Sequence, residues 1–93
     1  MIKTFKCKET EGIFNLYRSK KLPQDIQQTA LRKLRMLHRS STLEELRLPP
    51  ANQLEKLRGD RAGQWSIRIN NQWRVGFEWY EGNAYNVEIV DSH

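Results

Sequence analysis

A single cysteine, Cys7, excludes any disulfide within the chain, and with only two histidines, His38 and His93, it leaves too few ligands for a structural zinc site. No carboxylate cluster suited to a metal pair is present either, so no metal and no cofactor is expected. No apolar run approaches the roughly 20 residues of a membrane-spanning helix. The opening Met1-Ile2-Lys3-Thr4-Phe5-Lys6 alternates charge and lacks the apolar stretch of a signal peptide. A cytoplasmic location with no membrane partner is the expectation. Internal repeats, low-complexity tracts and interdomain linkers are also lacking, and 93 residues suffice for one domain, 1–93, with one modest core.

What the chain has is positive charge. Sixteen Lys and Arg against eleven Asp and Glu leave a formal charge of +5, which favours nucleic acid, an anionic membrane or an acidic protein as partner and says nothing about fold.

The hydrophobic pattern divides the chain in two. Residues 1–7 read as a short strand, with Ile2 and Phe5 among Lys and Thr. Glu9 to Lys20 reads as a helix with Ile13, Phe14 and Tyr17 at helical spacing and Thr10 as its N-cap. Pro23 suits the first turn of a second helix reaching Arg39, in which Ile26, Ala30, Leu34 and Leu37 form one stripe. Arg32, Arg35 and Arg39 then fall on the solvent side. Ser40-Ser41-Thr42 can end that helix and cap a short one through Leu46, and Pro49-Pro50 excludes regular structure where it stands.

Beyond the prolines the period becomes two. Leu54 to Arg58 is a possible strand. Trp65, Ile67 and Ile69 alternate with Ser66, Arg68 and Asn70, and Trp73, Val75, Phe77 and Trp79 alternate with Arg74, Gly76, Glu78 and Tyr80. Asn70-Asn71-Gln72 and Glu81-Gly82-Asn83 are natural hairpin turns. The last strand, Ala84 to Val90, puts Tyr85, Val87 and Ile89 on one face. The order predicts an α+β fold, an N-terminal strand and two helices packed on one face of a mainly antiparallel sheet.

Several side chains carry chemistry beside a structural alternative. Arg74 lies on the polar face of its strand; its guanidinium can fork onto a phosphate and stabilise a pentacoordinate transition state, or it is a solvated arginine paired with Glu78 or Glu88. Arg58 and Arg61 flank Gly59-Asp60 in a loop where glycines let backbone approach a ligand, so one or both can hold phosphate, while Asp60 can shape the loop through a salt bridge. His93 stands where chains commonly fray, yet its imidazole has the pKa for acid or base work near neutrality, with Asp91 to orient it. By parity, Asp91 and His93 are in phase with Val87 and Ile89 and out of phase with Arg74, so the strand must end, twist or bulge near Val90 to join them. Trp65, Trp73 and Trp79 read as core and not as base-stacking platforms. Arg32, Arg35 and Arg39 are an ordinary solvated face or a docking surface for ribosomal RNA. His38 and Cys7 have no evident partner, and His38 reads as structural. A small basic chain that gathers Arg, Asp and His at one sheet edge is equipped to hold a phosphodiester and move protons beside it, which points to RNA cleavage.

The run Leu-x-x-Leu-x-Gly-x-Arg-x-Gly-x-Trp-Ser-Ile-Arg-Ile-x-x-x-Trp-Arg from Leu54 to Arg74, followed by Val87-x-Ile89-Val90-Asp91-x-His93, resembles the HigB toxins. These are the plasmid-maintenance "killer" branch of the RelE/ParE superfamily, and the match extends over essentially the whole chain. The resemblance implies a RelE-like, microbial-RNase-like fold and the toxin of a type II toxin–antitoxin pair. It implies an endoribonuclease that enters the ribosomal A site and cuts mRNA without a metal. The ribose 2′-hydroxyl attacks the adjacent phosphate and leaves a 2′,3′-cyclic or 3′-phosphate and a 5′-hydroxyl. The implied partners are a helix-turn-helix antitoxin of the HigA kind, the ribosome and mRNA, with operator DNA reached only through the antitoxin.

Carried over by position, the implied catalytic set is Arg58, Arg74, Asp91 and His93, with Arg61, Arg68, Arg32, Arg35 and Arg39 for RNA and ribosome binding. Arg58 occupies a place where family members can have Lys. The family commonly ends in Asp-Tyr-His, and Ser92 replaces the aromatic here; members can also carry a His where Glu55 stands. Two readings of other classes remain: a non-enzymatic poison that binds its target as the ParE branch binds DNA gyrase, for which Asp91-Ser92-His93 has no evident use, and a plain RNA-binding module, whose exposed aromatic pairs the polar faces lack.

Overall fold

The 3.6-residue period that follows Pro23 becomes α2 (Gln24–Arg39), with Pro23 as its N-cap. Ile26, Ala30, Leu34 and Leu37 are buried as the stripe predicts, and Arg32, Arg35 and Arg39 face solvent. The computed structural model describes residues 1–57 and 63–92. No helix in them is long and apolar enough to cross a membrane.

α1 (Lys8–Phe14) is shorter than the predicted Glu9–Lys20 helix and is capped by Cys7, not Thr10. The Thr10 N–H donates to Cys7 Sγ at 3.4 Å, and the two side chains meet at 2.9 Å, so Cys7 does have a partner. Thr10 turns inward, and its hydroxyl accepts the Ile89 N–H at 2.9 Å. The helix stops because Leu16 enters the left-handed region at φ 72. The Tyr17 N–H then returns to the Gly12 carbonyl at 2.8 Å and the Leu16 N–H to Ile13 at 3.0 Å, a Schellman closure.

α3 (Leu43–Arg47) is capped by the Thr42 hydroxyl, while the Glu45 carboxylate reaches back to the Ser41 N–H at 2.8 Å. The paired prolines do not exclude regular structure as expected: Pro50, tolerated at a first helical position, opens one 3₁₀ turn, Pro50–Asn52, which ends at Gln53 with φ 42. Lys33, on the inner side of α2, donates to Asn52 Oδ1 at 2.6 Å, which ties this turn to the helix.

Among the described residues the sheet runs in the order β1 (Glu55–Lys56), β2 (Gln64–Arg68), β3 (Trp73–Tyr80), β4 (Asn83–Asp91), each antiparallel to the next. Ile67, Val75 and Ile89 stand in register across three strands and face α2. Trp65, Trp73 and Trp79 pack partly buried against this core. Glu81 and Gly82, both at positive φ (48 and 79), form the two-residue turn between β3 and β4.

Two expectations about strands are corrected. Residues 1–7 form no extended ladder; they meet β4 through parallel bridges at Ile2–Ala84 and Phe5–Val87, which cover the backbone edge of β4. Tyr85 does not share a face with Val87 and Ile89. The β3–β4 register shifts between Gly76 and Glu78, and Asn86 sits at φ 52. This bulge resets the alternation, so Ala84 joins Val87 and Ile89 inside, while Tyr85 lies opposite Glu78 on the other face. Asn86 suits the position: its N–H donates to Thr4 Oγ1 and its side-chain amide to Glu78 Oε2, both at 2.7 Å. His38 also has a partner, accepting the Ile2 N–H at Nδ1 (3.1 Å) beside the Phe14 ring, in keeping with its structural reading.

Candidate active site

Register places Ser66, Arg68, Arg74, Glu88 and Val90 on the sheet face away from α2. A polar face predicts a solvated arginine at 74. The structure corrects this: Arg74 is 9% exposed and paired with neither Glu78 nor Glu88. Its Nε donates to Ser66 Oγ at 2.7 Å, and its Nη2 donates to the carbonyls of Gln53 (2.5 Å) and Ser66 (3.2 Å). Nη1 makes no hydrogen bond to any described residue. The chain leaving the 3₁₀ turn, swung round by the left-handed Gln53, lies over this face and encloses the guanidinium. Glu55 Oε2 lies 3.9 Å from Nη2 on a largely exposed side chain, so the ion pair itself adds little. Burial lowers the Arg74 pKa from its ordinary value, Glu55 counters that, and Arg68 adds a smaller lowering push. A guanidinium remains charged at neutral pH under such shifts.

Arg74 lines a cleft of about 350 Å³ with Glu55, Leu57, Ser66, Val90, Asp91 and Ser92. Thus Arg74 and Asp91 meet at one opening although they differ in parity, and the bulge at Asn86 is too far back along β4 to account for it. Asp91 pairs in register with Trp73 at the last rung of the sheet. Gln72, in the β2–β3 turn, clamps this end of β4. Its Nε2 donates to Asp91 Oδ2 at 3.0 Å, and its carbonyl accepts both the Ser92 N–H (2.7 Å) and the Ser92 hydroxyl (2.8 Å). The turn is itself set by Asn70, whose Oδ1 accepts the N–H groups of Gln72 and Trp73, both at 2.8 Å.

Other predicted site residues lie elsewhere. Arg68 pairs in register with Arg74, and its guanidinium donates to Asn71 Oδ1 in the adjoining turn. Arg32, Arg35 and Arg39 line a separate groove of about 620 Å³ with Asp25, Gln28, Thr29 and Leu31. Arg58 and Arg61, with the Gly59-Asp60 loop between them, and His93 lie outside the described residues. Sequence reasoning missed Ser66, Gln53 and Gln72 as the groups that hold Arg74 and the end of β4. Ser66 alone carried a signal, a small hydroxyl two residues from Arg68 on an otherwise large-residue strand.

The description "RelE-like toxin of type II toxin-antitoxin system HigB" belongs to a family model that matches residues 3–93. The chain is 38% identical to Toxin HigB-1 of Vibrio cholerae over 76 residues, 82% of this chain and 79% of that one. It is 33% identical to Endoribonuclease HigB of Proteus vulgaris over 94 residues, covering both chains in full. Among solved structures, a mutant of YafQ from E. coli superposes with a TM-score of 0.65 at 11% identity, over 99% of this chain and 94% of that one. Unmutated YafQ gives a TM-score of 0.58 at 12% identity with the same coverage. These two are likenesses of fold, and they agree with the expected α+β, RelE-like architecture.

Proposed function

The chain belongs to the HigB-like family, the RelE-like toxins of type II toxin–antitoxin systems, and on that premise we propose that it is an endoribonuclease that cuts mRNA in the ribosomal A site. The observation that carries the reading is the charged, nearly enclosed Arg74 sharing a cleft with Asp91. A guanidinium fixed by three hydrogen bonds is oriented before substrate arrives, as transition-state charge stabilisation requires. Likeness to an endoribonuclease favours cleavage over the gyrase-binding alternative.

In this reading the ribose 2′-oxygen forms a bond to the adjacent phosphorus as the bond from phosphorus to the 5′-oxygen breaks. His93 takes the 2′-hydroxyl proton or supplies one to the departing 5′-oxygen, with Asp91 in support. Arg74 stabilises the phosphorane through Nη1, and Arg58 holds phosphate or assists the leaving group. The products are a 2′,3′-cyclic phosphate and a 5′-hydroxyl; attack of water on the cyclic phosphorus, breaking its bond to the 2′-oxygen, then gives the 3′-phosphate. Arg32, Arg35 and Arg39, with Arg61 and Arg68, dock on RNA of the ribosome. Family membership implies an antitoxin; we take it to be a helix-turn-helix protein of the HigA kind that carries the pair to operator DNA.

The test is to incubate the protein with a defined mRNA, naked or programmed on ribosomes, with and without EDTA added after the ribosomes are assembled. Cleavage is expected only on the ribosome, with 5′-hydroxyl ends and no loss in EDTA. Robust cutting of naked RNA that EDTA stops would overturn the proposal.

A further inference from the structure

Leu16 occupies the left-handed position that closes α1, where glycine carries no Cβ penalty and leucine is strained. No burial offsets that strain, because Leu16 is 69% exposed and Tyr17 beside it is 72% exposed. Strain kept at an exposed apolar residue points to a use outside the folded monomer. The two residues border a recess of about 320 Å³ whose other walls include Ile13, Arg18 and Leu31. Gln28 and Leu31 line both this recess and the arginine groove, so the two are continuous along α2. Their ionised lining is Arg18, Arg32, Arg35 and Arg39 against the single acid Asp25.

The segment bearing Leu16 and Tyr17 is held firmly. The Ser19 hydroxyl donates to Glu9 Oε1 at 2.5 Å and accepts the N–H groups of Lys21 (3.1 Å) and Leu22 (3.2 Å). The Ser19 N–H donates to Gln27 Oε1 at 3.0 Å, and its carbonyl accepts the Gln24 and Gln27 amides, both at 2.8 Å. A side chain displayed on so fixed a loop loses little entropy when a partner covers it.

We propose that this groove is the docking surface for the antitoxin, and that the segment it takes is an acidic amphipathic helix. Leu31, Arg35 and Arg39 follow one another at four-residue spacing, about 6 Å per step along α2. A partner helix with the same spacing can seat an apolar side chain among Leu16, Tyr17 and Leu31 while carboxylates on later turns meet Arg35 and Arg39. RNA has a use for the arginines but none for a strained, exposed leucine, which is why a protein is the better occupant. The inference rests on the antitoxin partnership that family membership implies and is independent of the cleavage chemistry. An antitoxin seated here also covers Arg32, Arg35 and Arg39, and so excludes the ribosome from that face.

The experiment measures binding of the purified antitoxin encoded beside this chain to wild type, Leu16→Gly, Tyr17→Ala and Arg18→Glu by calorimetry, with a thermal melt of each. Leu16→Gly is expected to bind at least tenfold more weakly while its Tm stays the same or rises, since glycine relieves the backbone. Tyr17→Ala should bind about 10- to 100-fold more weakly, as a buried aromatic anchor would. Arg18→Glu should weaken binding and flatten its salt dependence. Growth arrest by Leu16→Gly without antitoxin should match wild type. Wild-type affinity in Leu16→Gly, or a fall in Tm that accompanies its loss of affinity, would overturn the proposal. Unchanged antitoxin affinity with reduced ribosome co-sedimentation would assign the face to RNA instead. No complex with the wild-type protein would strike at the partnership itself, and the groove with it.

Discussion

Replacing Arg74 by alanine should do two separable things. The first is structural. The substitution removes the donor to Ser66 Oγ, which is almost fully buried, and the donors to the Gln53 and Ser66 carbonyls. A buried hydroxyl left without its partner costs about 1–3 kcal/mol, and the two carbonyl bonds add to it. Removing a desolvated charge returns part of this, and the exposed Glu55 contributes little either way. The net loss should be about 2–3 kcal/mol, or on the order of 10–20 °C in Tm for a domain of this size. The second effect is chemical. Losing a preorganised charge donor costs about 10²–10³ in rate. Thermal melts by circular dichroism measure the first effect, and single-turnover cleavage on ribosomes, run well below both midpoints, measures the second. Ser66→Ala and the double variant complete a cycle whose coupling should be about 1–2 kcal/mol. Arg74→Lys keeps the charge but not the fork, so it should melt between the two and cleave slowly. A Tm for Arg74→Ala within about 3 °C of wild type would refute the buried, hydrogen-bonded role. A folded Arg74→Ala that cleaves as wild type would refute the phosphate role.

Deleting His93 alone should leave the melt unchanged and reduce ribosome-dependent cleavage about 10²- to 10⁴-fold, the usual worth of a general acid or base; an unaltered rate would remove it from the mechanism. Gly82→Ala places a Cβ at φ 79 and 3.2 Å from the Ser41 carbonyl oxygen, so it should cost about 1–2 kcal/mol in a denaturant titration without altering the cleavage chemistry.

Pattern alone determined the class of fold. The stripe Ile26, Ala30, Leu34 and Leu37 and the two-residue alternation around Ile67, Val75 and Phe77 are local signals, because burial of one face imposes its period on the residues that supply it. The hairpin at Glu81-Gly82 was legible for the same reason, since few residues tolerate positive φ. The motif from Leu54 to Arg74, with Asp91 and His93, was enough to identify the family. Features that depend on distant partners were not legible. α1 was predicted to end at Lys20 and ends at Phe14, because Leu16 in the left-handed region is not a conformation its side chain announces. The bulge at Asn86 is held by Thr4 and Glu78, one of them from the opposite end of the chain, and it moved Tyr85 to the other face. Arg74 presented itself as a solvated strand residue and is enclosed, since the chain around Gln53 crosses above it. The sequence therefore specified which residues carry charge and which face of β2 and β3 would pack on α2. Only the tertiary structure decided that Arg74 would be held in place and that the end of β4 would be tied to Gln72, because both depend on backbone groups some twenty residues away meeting across the sheet edge.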